Sequence, residues 1–239
     1  MSNQKKNAGR SREMEIQAAR MFGKQMSKEK RRVLLAVTLI ACALPMAMGA
    51  RRWSDIPAIV PSGLIGSSGK DDSIPRWMVA FGLPGILCLL DVIAHFMLQF
   101  NQKRQTLPPA ASRLIGRWGF PVISVLFCSG MILEAVGQEL TLPFLTPCVL
   151  GLFLLLLGSH MWDCPRDARI ALRFSWTEGS DAVWKTVHRF AGWVWMIVGL
   201  IVIAGAMWTG TSTWVTPLLV IVALAAPAVY ANGRAGRLD

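Results

Sequence analysis

Charge is scarce in this chain, and acidic charge is scarcer. Only 16% of the 239 residues are charged, with 14 Asp and Glu against 25 Lys and Arg. Soluble domains carry about a quarter charged residues, so the deficit argues against a soluble globular domain. There are three histidines and five cysteines. Cys42, Cys88, Cys128 and Cys148 fall one to each apolar run, and Cys164 stands apart. No CxxC occurs, which leaves neither a disulfide framework nor a zinc-ligand spacing, and the cysteines read as small buried hydrophobes. The chain also lacks a Walker loop, an HExxH, a GxSxG and a dinucleotide-binding glycine fingerprint. No catalytic residue, no metal and no cofactor are therefore expected, and the chain does not read as an enzyme. A net charge of +11 comes with no nucleic-acid recognition module, so direct nucleic-acid binding is not expected either.

Long apolar runs are abundant. The composition is 53% hydrophobic, and six segments approach the length of about 20 residues that crosses a bilayer. They are 33–50, 78–100, 118–137, 142–161, 188–208 and 213–231. The expected fold is all-α, an integral membrane bundle of six transmembrane helices preceded by a basic amphipathic segment. That segment, 1–32, holds ten Lys and Arg against Glu13, Glu15 and Glu29. Met14, Ala18, Met21, Phe22 and Met26 recur at helical spacing, which suits a helix lying on an anionic leaflet. Its charge is too extended for a cleavable signal peptide.

The basic residues set the orientation. With the N-terminus inside, 21 of the 25 Lys and Arg fall on the cytoplasmic side, and only Arg51, Arg52, Lys70 and Arg76 lie outside. Lys and Arg collect in cytoplasmic loops, so both termini are expected in the cytoplasm of a multi-pass protein. The organisation then reads as a basic segment (1–32), two spans (33–100) around an outer loop (51–77), four further spans (118–231) around an inner loop (162–189), and a tail (232–239). Trp53, Trp77, Trp118, Trp162, Trp193, Trp208 and Trp214 lie close to predicted span ends and are expected as interfacial anchors.

Three regions carry candidate function. Asp91 and His95 are four residues apart on the second span and share a helical face. An ionisable group at that depth is costly and marks a site by default. Glu134 lies near the outer end of the third span, where it can snorkel or face a cavity with Arg51 or Arg52. A polar path of Asp91, His95 and Glu134 would suit a small transporter or channel; a neutral or paired packing contact is the simpler use of the same residues. The outer loop holds Pro57, Pro61 and Pro75, which resist a continuous helix, and Gly63, Gly66 and Gly69, which permit turns. It reads as a turn-rich cap. The third region, Arg166 to Gly192, is the longest polar interruption in the second half and carries five Lys and Arg, two Trp and one His. Ser180 or Asp181 can cap a short helix over Ala182–Arg189. That helix would have Val183, Trp184, Val187 and Phe190 on one face, with Lys185 and Arg189 toward headgroups. Trp176 and Arg173 would sit just before it, where the guanidinium can stack on the indole and order the loop further.

This inner region resembles the SdpI family of bacterial membrane proteins. The family signature runs roughly Gly-(Ile/Leu)-Arg-Thr-Pro-Trp-Thr, then Val-Trp, a basic or His-Arg pair and a span. Leu172, Arg173, Trp176, Thr177, Val183, Trp184, His188, Arg189 and Gly192 match it. Ala171 replaces the Gly, and Phe174-Ser175 replaces the Thr-Pro. A second resemblance lies in the outer loop, where Ile56, Pro57, Pro61 and Gly69 match, followed by Asp71 and Asp72. The resemblance implies a six-span immunity and sensor protein of the bacterial plasma membrane. Its implied partners, besides the lipid bilayer, are a secreted membrane-active peptide toxin on the outer face and a cytoplasmic repressor on the inner face.

Overall fold

The computed structural model describes residues 26–61, 73–103, 110–162, 164, 166, 171–174, 177, 180–209 and 215–235. Most of the expected basic segment, together with Gly69, Asp71 and Trp176, lies outside these residues.

Among the described residues, six helices are long and apolar enough to cross a membrane. Helix α1 is Lys28–Arg51, capped by the Ser27 side chain, which accepts from the Lys30 backbone N–H. Helix α2 enters through a wide turn, Met78–Gly82, and continues as Leu83–Lys103. In that turn the Leu83 N–H reaches back five residues to the Met78 carbonyl. Pro84 follows directly, and its ring cannot sit against the carbonyl four residues earlier in a regular helix. Helix α3 is built the same way: Ala110–Ile123 containing Pro121, a wide turn Ser124–Cys128, and Ser129–Ala135. Helices α4 (Leu142–Met161), α5 (Asp181–Thr209) and α6 (Val215–Ala235) complete the bundle.

The chain between α1 and α2 adds a feature that an all-helical reading does not include. Strands β1 (Ile59–Pro61) and β2 (Ser73–Pro75) pair antiparallel, with Val60 opposite Ile74. Ile56 and Val60 are buried against the bundle core. Arg76 donates to the Trp53 carbonyl at 3.4 Å and stacks on the Trp53 ring at 5.0 Å. The hairpin marks one end of the bundle; the loop between α4 and α5 marks the opposite, basic end.

Two close approaches organise the packing. Gly49 of α1 meets Ala80 of α2, where an added Cβ would lie 2.8 Å from the alanine Cβ. Helices α4 and α5 run antiparallel along paired glycines, Gly151 against Gly199 and Gly158 against Gly192. Small residues at seven-residue spacing bring two backbones together where lipid supplies no hydrophobic drive. The outward face of the bundle is apolar; Phe96, Ile115, Phe153, Ile201 and Val229 are all exposed, as lipid contact requires.

The tryptophans divide. Trp53, Trp77 and Trp208 are exposed near helix ends. Trp193 is exposed midway along α5 and packs on Trp162 with ring centroids 4.8 Å apart, and Trp214 lies outside the described residues. Trp118 and Trp162 depart from the anchor expectation, being 4% and 6% exposed and part of the bundle core. Nearness to a span end does not determine which way a side chain faces, and these two point inward.

Candidate functional site

The buried polar group of the bundle lies between α1, α2 and α3. Asp91 is fully buried. Its Oδ2 accepts from the Thr38 hydroxyl at 2.7 Å, so α1 supplies the partner for the α2 carboxylate. His95 Nδ1 lies 3.0 Å from the Asp91 backbone carbonyl and 3.5 Å from Oδ1. A carbonyl only accepts, so Nδ1 carries the proton. His95 also lines a small cavity with Arg31, Gln99 and Arg117 toward the basic end. Ser124 of α3 donates to the Cys42 carbonyl at 2.7 Å, in the stretch of α1 that contains Pro45. Asp91 and His95 are thus together and pinned by α1. The sequence reading did not include Thr38, 53 positions away. Among the described residues no group of three or more His, Cys, Asp or Glu could hold a metal.

Glu134 stands elsewhere, exposed at the hairpin end of α3, and lines an open cavity with Gln138 and Glu139. Arg52 lines the neighbouring cavity with Glu139 and Thr141, while Arg51 stacks on Trp208 at 5.0 Å. Pro57 is exposed beside buried Ile56, and Pro61 ends β1.

At the basic end the loop folds onto α5 through three buried side chains. Trp184 donates its indole N–H to the Cys164 carbonyl at 2.9 Å. His188 sits one turn later, stacked on Trp184 with ring centroids 4.1 Å apart. Its Nδ1 donates to the Trp184 carbonyl at 2.9 Å, and its Nε2 accepts the Leu172 backbone N–H at 3.1 Å. One nitrogen donates and the other accepts, so the ring is neutral with the proton on Nδ1. Thr177 is fully buried. Its hydroxyl accepts the Phe174 N–H at 3.0 Å and donates to the Phe174 carbonyl at 2.8 Å, which closes a tight turn. Leu172, Thr177, Trp184 and His188 therefore hold the loop in place.

The charged residues cover that frame. Arg166 Nε reaches Asp181 Oδ1 at 2.6 Å and lies over the Trp184 ring at 5.7 Å. Arg173 is exposed and donates to the Arg166 carbonyl at 3.2 Å. Arg189 pairs with Glu29 of α1 and lies over the Trp162 ring at 4.9 Å. The short helix expected over Ala182–Arg189 is continuous with the fifth span, because the buried face of Val183, Trp184 and Val187 extends that of the span without a break. The expected stack of Arg173 on Trp176 falls outside the described residues with Trp176; the stacks formed at this end among the described residues are Arg166 on Trp184 and Arg189 on Trp162.

His188→Phe removes both ring hydrogen bonds, the one to the Trp184 carbonyl and the one from the Leu172 N–H. The ring stack survives, while the Leu172 N–H is left without its acceptor. Stranding such a group costs about 1–3 kcal/mol. The expected result is lower thermal stability in detergent, together with faster proteolysis within 162–189. Unchanged cleavage would mean that His188 does not hold the loop.

The same stretch identifies relatives. Residues 163–231, which run from this loop through α5 and most of α6, match the SdpI/YfhL protein family. The chain is 27% identical over 139 residues to a Bacillus subtilis (strain 168) protein named Immunity protein SdpI. The match covers 57% of this chain and 64% of that protein, so the chain spans somewhat under two thirds of its relative. No solved structure matches.

Proposed function

From its place as a divergent member of the SdpI family, we propose that this multi-pass membrane protein is an immunity protein that protects a bacterial cell against a membrane-active peptide toxin. The observation that carries the reading is the coincidence of the family match with the folded loop at the basic end. Leu172, Thr177, Trp184 and His188 hold that loop, and Arg173 and Lys185 stand exposed on it. With 21 of 25 Lys and Arg assigned to this side, the loop and both termini face the cytoplasm of a plasma membrane. The toxin acts at the hairpin end. The exposed basic side chains of the loop suit an acidic patch on a cytoplasmic repressor, and toxin sensing would be coupled to its recruitment. No reaction is required of any residue.

Survival of a sensitive bacterium expressing the chain tests this, with challenge by the peptide toxin encoded beside its gene. Wild type is expected to raise survival over an empty vector. Arg173→Ala leaves every buried clamp of the loop in place, so it is expected to retain membrane levels and lose repressor recruitment. Survival equal to the empty vector, with the protein in the membrane, overturns the immunity reading.

A further inference from the structure

We infer that the cleft between the hairpin-end half of α3 and the turn that follows it is a binding site for a cationic amphipathic peptide that enters from the bilayer. The inference rests on the immunity reading and names the site and ligand class for it. The cleft has a volume of about 510 Å³. Leu126, Phe127, Met131 and Leu140 give it an apolar floor, and Glu134 and Glu139 stand on its rim. Both carboxylates are exposed, and among the described residues no Lys or Arg lines this cleft. Arg52 lines the adjoining cavity, which shares Glu139 with this one.

The backbone holds the shape. Gly137 has φ 71°, a left-handed conformation that costs other residues energy. The Gly137 N–H bonds the Glu134 carbonyl at 2.9 Å, and the Gln138 N–H bonds the Leu133 carbonyl at 2.8 Å. This end-of-helix motif reverses the chain and carries Glu139 and Leu140 back over α3. Leu140 then lies against Gly130, where an added Cβ would be 3.8 Å away.

An apolar floor with two carboxylates on its rim selects an apolar body with a cationic end. Anionic lipid meets like charge there.

The test uses the full chain in phosphatidylcholine nanodiscs at low salt, with a photo-crosslinking amino acid placed at Gln138. Two synthetic amphipathic helical peptides share one apolar face; one is lysine-rich and the other glutamate-rich. The lysine-rich peptide is expected to cross-link, and Glu134→Gln with Glu139→Gln should lower its yield about tenfold, from two exposed charge pairs together. Glu134→Lys with Glu139→Lys should reverse the preference, a gain that misfolding cannot produce. Equal cross-linking of both peptides, no effect of the double substitutions, or adducts to phosphatidylcholine alone would overturn the site. The survival assay separates the two claims. Full protection by the double Gln variant overturns the site and leaves immunity standing. Charge-dependent cross-linking by a wild type that protects nothing overturns immunity and leaves the site.

Discussion

Gly158→Leu is expected to leave little folded protein. Helices α4 and α5 approach so closely at this point that even a methyl group does not fit. A Cβ on Gly158 would lie 2.8 Å from the Gly192 carbonyl oxygen and 2.9 Å from the Met196 backbone nitrogen. A Cβ on Gly192 would lie 2.9 Å from the Gly158 carbonyl oxygen. Backbone atoms have no alternative rotamer, so the helices must separate. Separation at one pair also opens the next, since a Cβ added to Gly151 or Gly199 would lie 2.7 Å from the other's carbonyl oxygen. Overpacking in a filled core costs about 1–3 kcal/mol and sometimes more. Gly158→Ala should fall in that range, and leucine should exceed it. Gly205, on the same helix as Gly192, has nothing within 4 Å of its virtual Cβ. Gly205→Ala should be neutral or slightly stabilising, since alanine favours a helix by about 1 kcal/mol over glycine. Thermal unfolding in detergent micelles measures all three. Equal stability of Gly158→Ala and Gly205→Ala would show that the paired glycines do not set the crossing.

The same comparison shows what a sequence can and cannot reveal about this molecule. Six apolar runs were legible because a bilayer imposes a length and a composition on each helix, whatever its neighbours. Leu142–Met161 is bounded on both sides by polar or turn residues, and the helix occupies that range. Helix α3 begins earlier than the apolar run, at Ala110, because its first turns carry Arg113 and Arg117, which a hydropathy reading treats as loop. The pair Asp91 and His95 was visible because i and i+4 share a helix face. Thr38 was not, since the partner of a buried carboxylate depends on which helices become neighbours. The inner loop shows the same division. Its signature residues could be recognised by pattern. That His188 accepts the Leu172 N–H, and that Glu29 pairs with Arg189 160 positions away, depends on tertiary contact alone. The paired glycines carried no signal of their own, because glycines are frequent in spanning helices and only the register of α4 on α5 distinguishes Gly158 from Gly205.

Thr38→Val is expected to destabilise the protein more than Asp91→Leu, although the carboxylate is the costlier group to bury. The asymmetry lies in what each residue can do alone. The Thr38 hydroxyl has two acceptors in reach, Asp91 Oδ2 at 2.7 Å and the Leu35 carbonyl at 3.1 Å. When Asp91 is replaced, the hydroxyl turns to its own helix and stays satisfied. The carboxylate has no such reserve. Its Oδ2 depends on Thr38, and its Oδ1 has the His95 Nδ1 at 3.5 Å and no hydrogen bond. Leaving a buried acceptor without its donor costs about 1–3 kcal/mol. Replacing both partners of a buried polar contact by apolar side chains of the same shape can be nearly neutral or stabilising. Asp91→Leu together with His95→Leu should therefore be close to wild type in thermal stability. Thr38→Val should be lower by roughly 2 kcal/mol, and Thr38→Val combined with Asp91→Leu should recover most of that loss. A double variant no better than Thr38→Val alone would mean that the hydroxyl does not serve the carboxylate. The cycle also separates structure from use. A bundle that is as stable with leucine at both positions does not need the carboxylate to hold its helices. Loss of protection in a variant that unfolds no earlier than wild type would assign Asp91 to function. Full protection would leave it as a packing contact between α1 and α2.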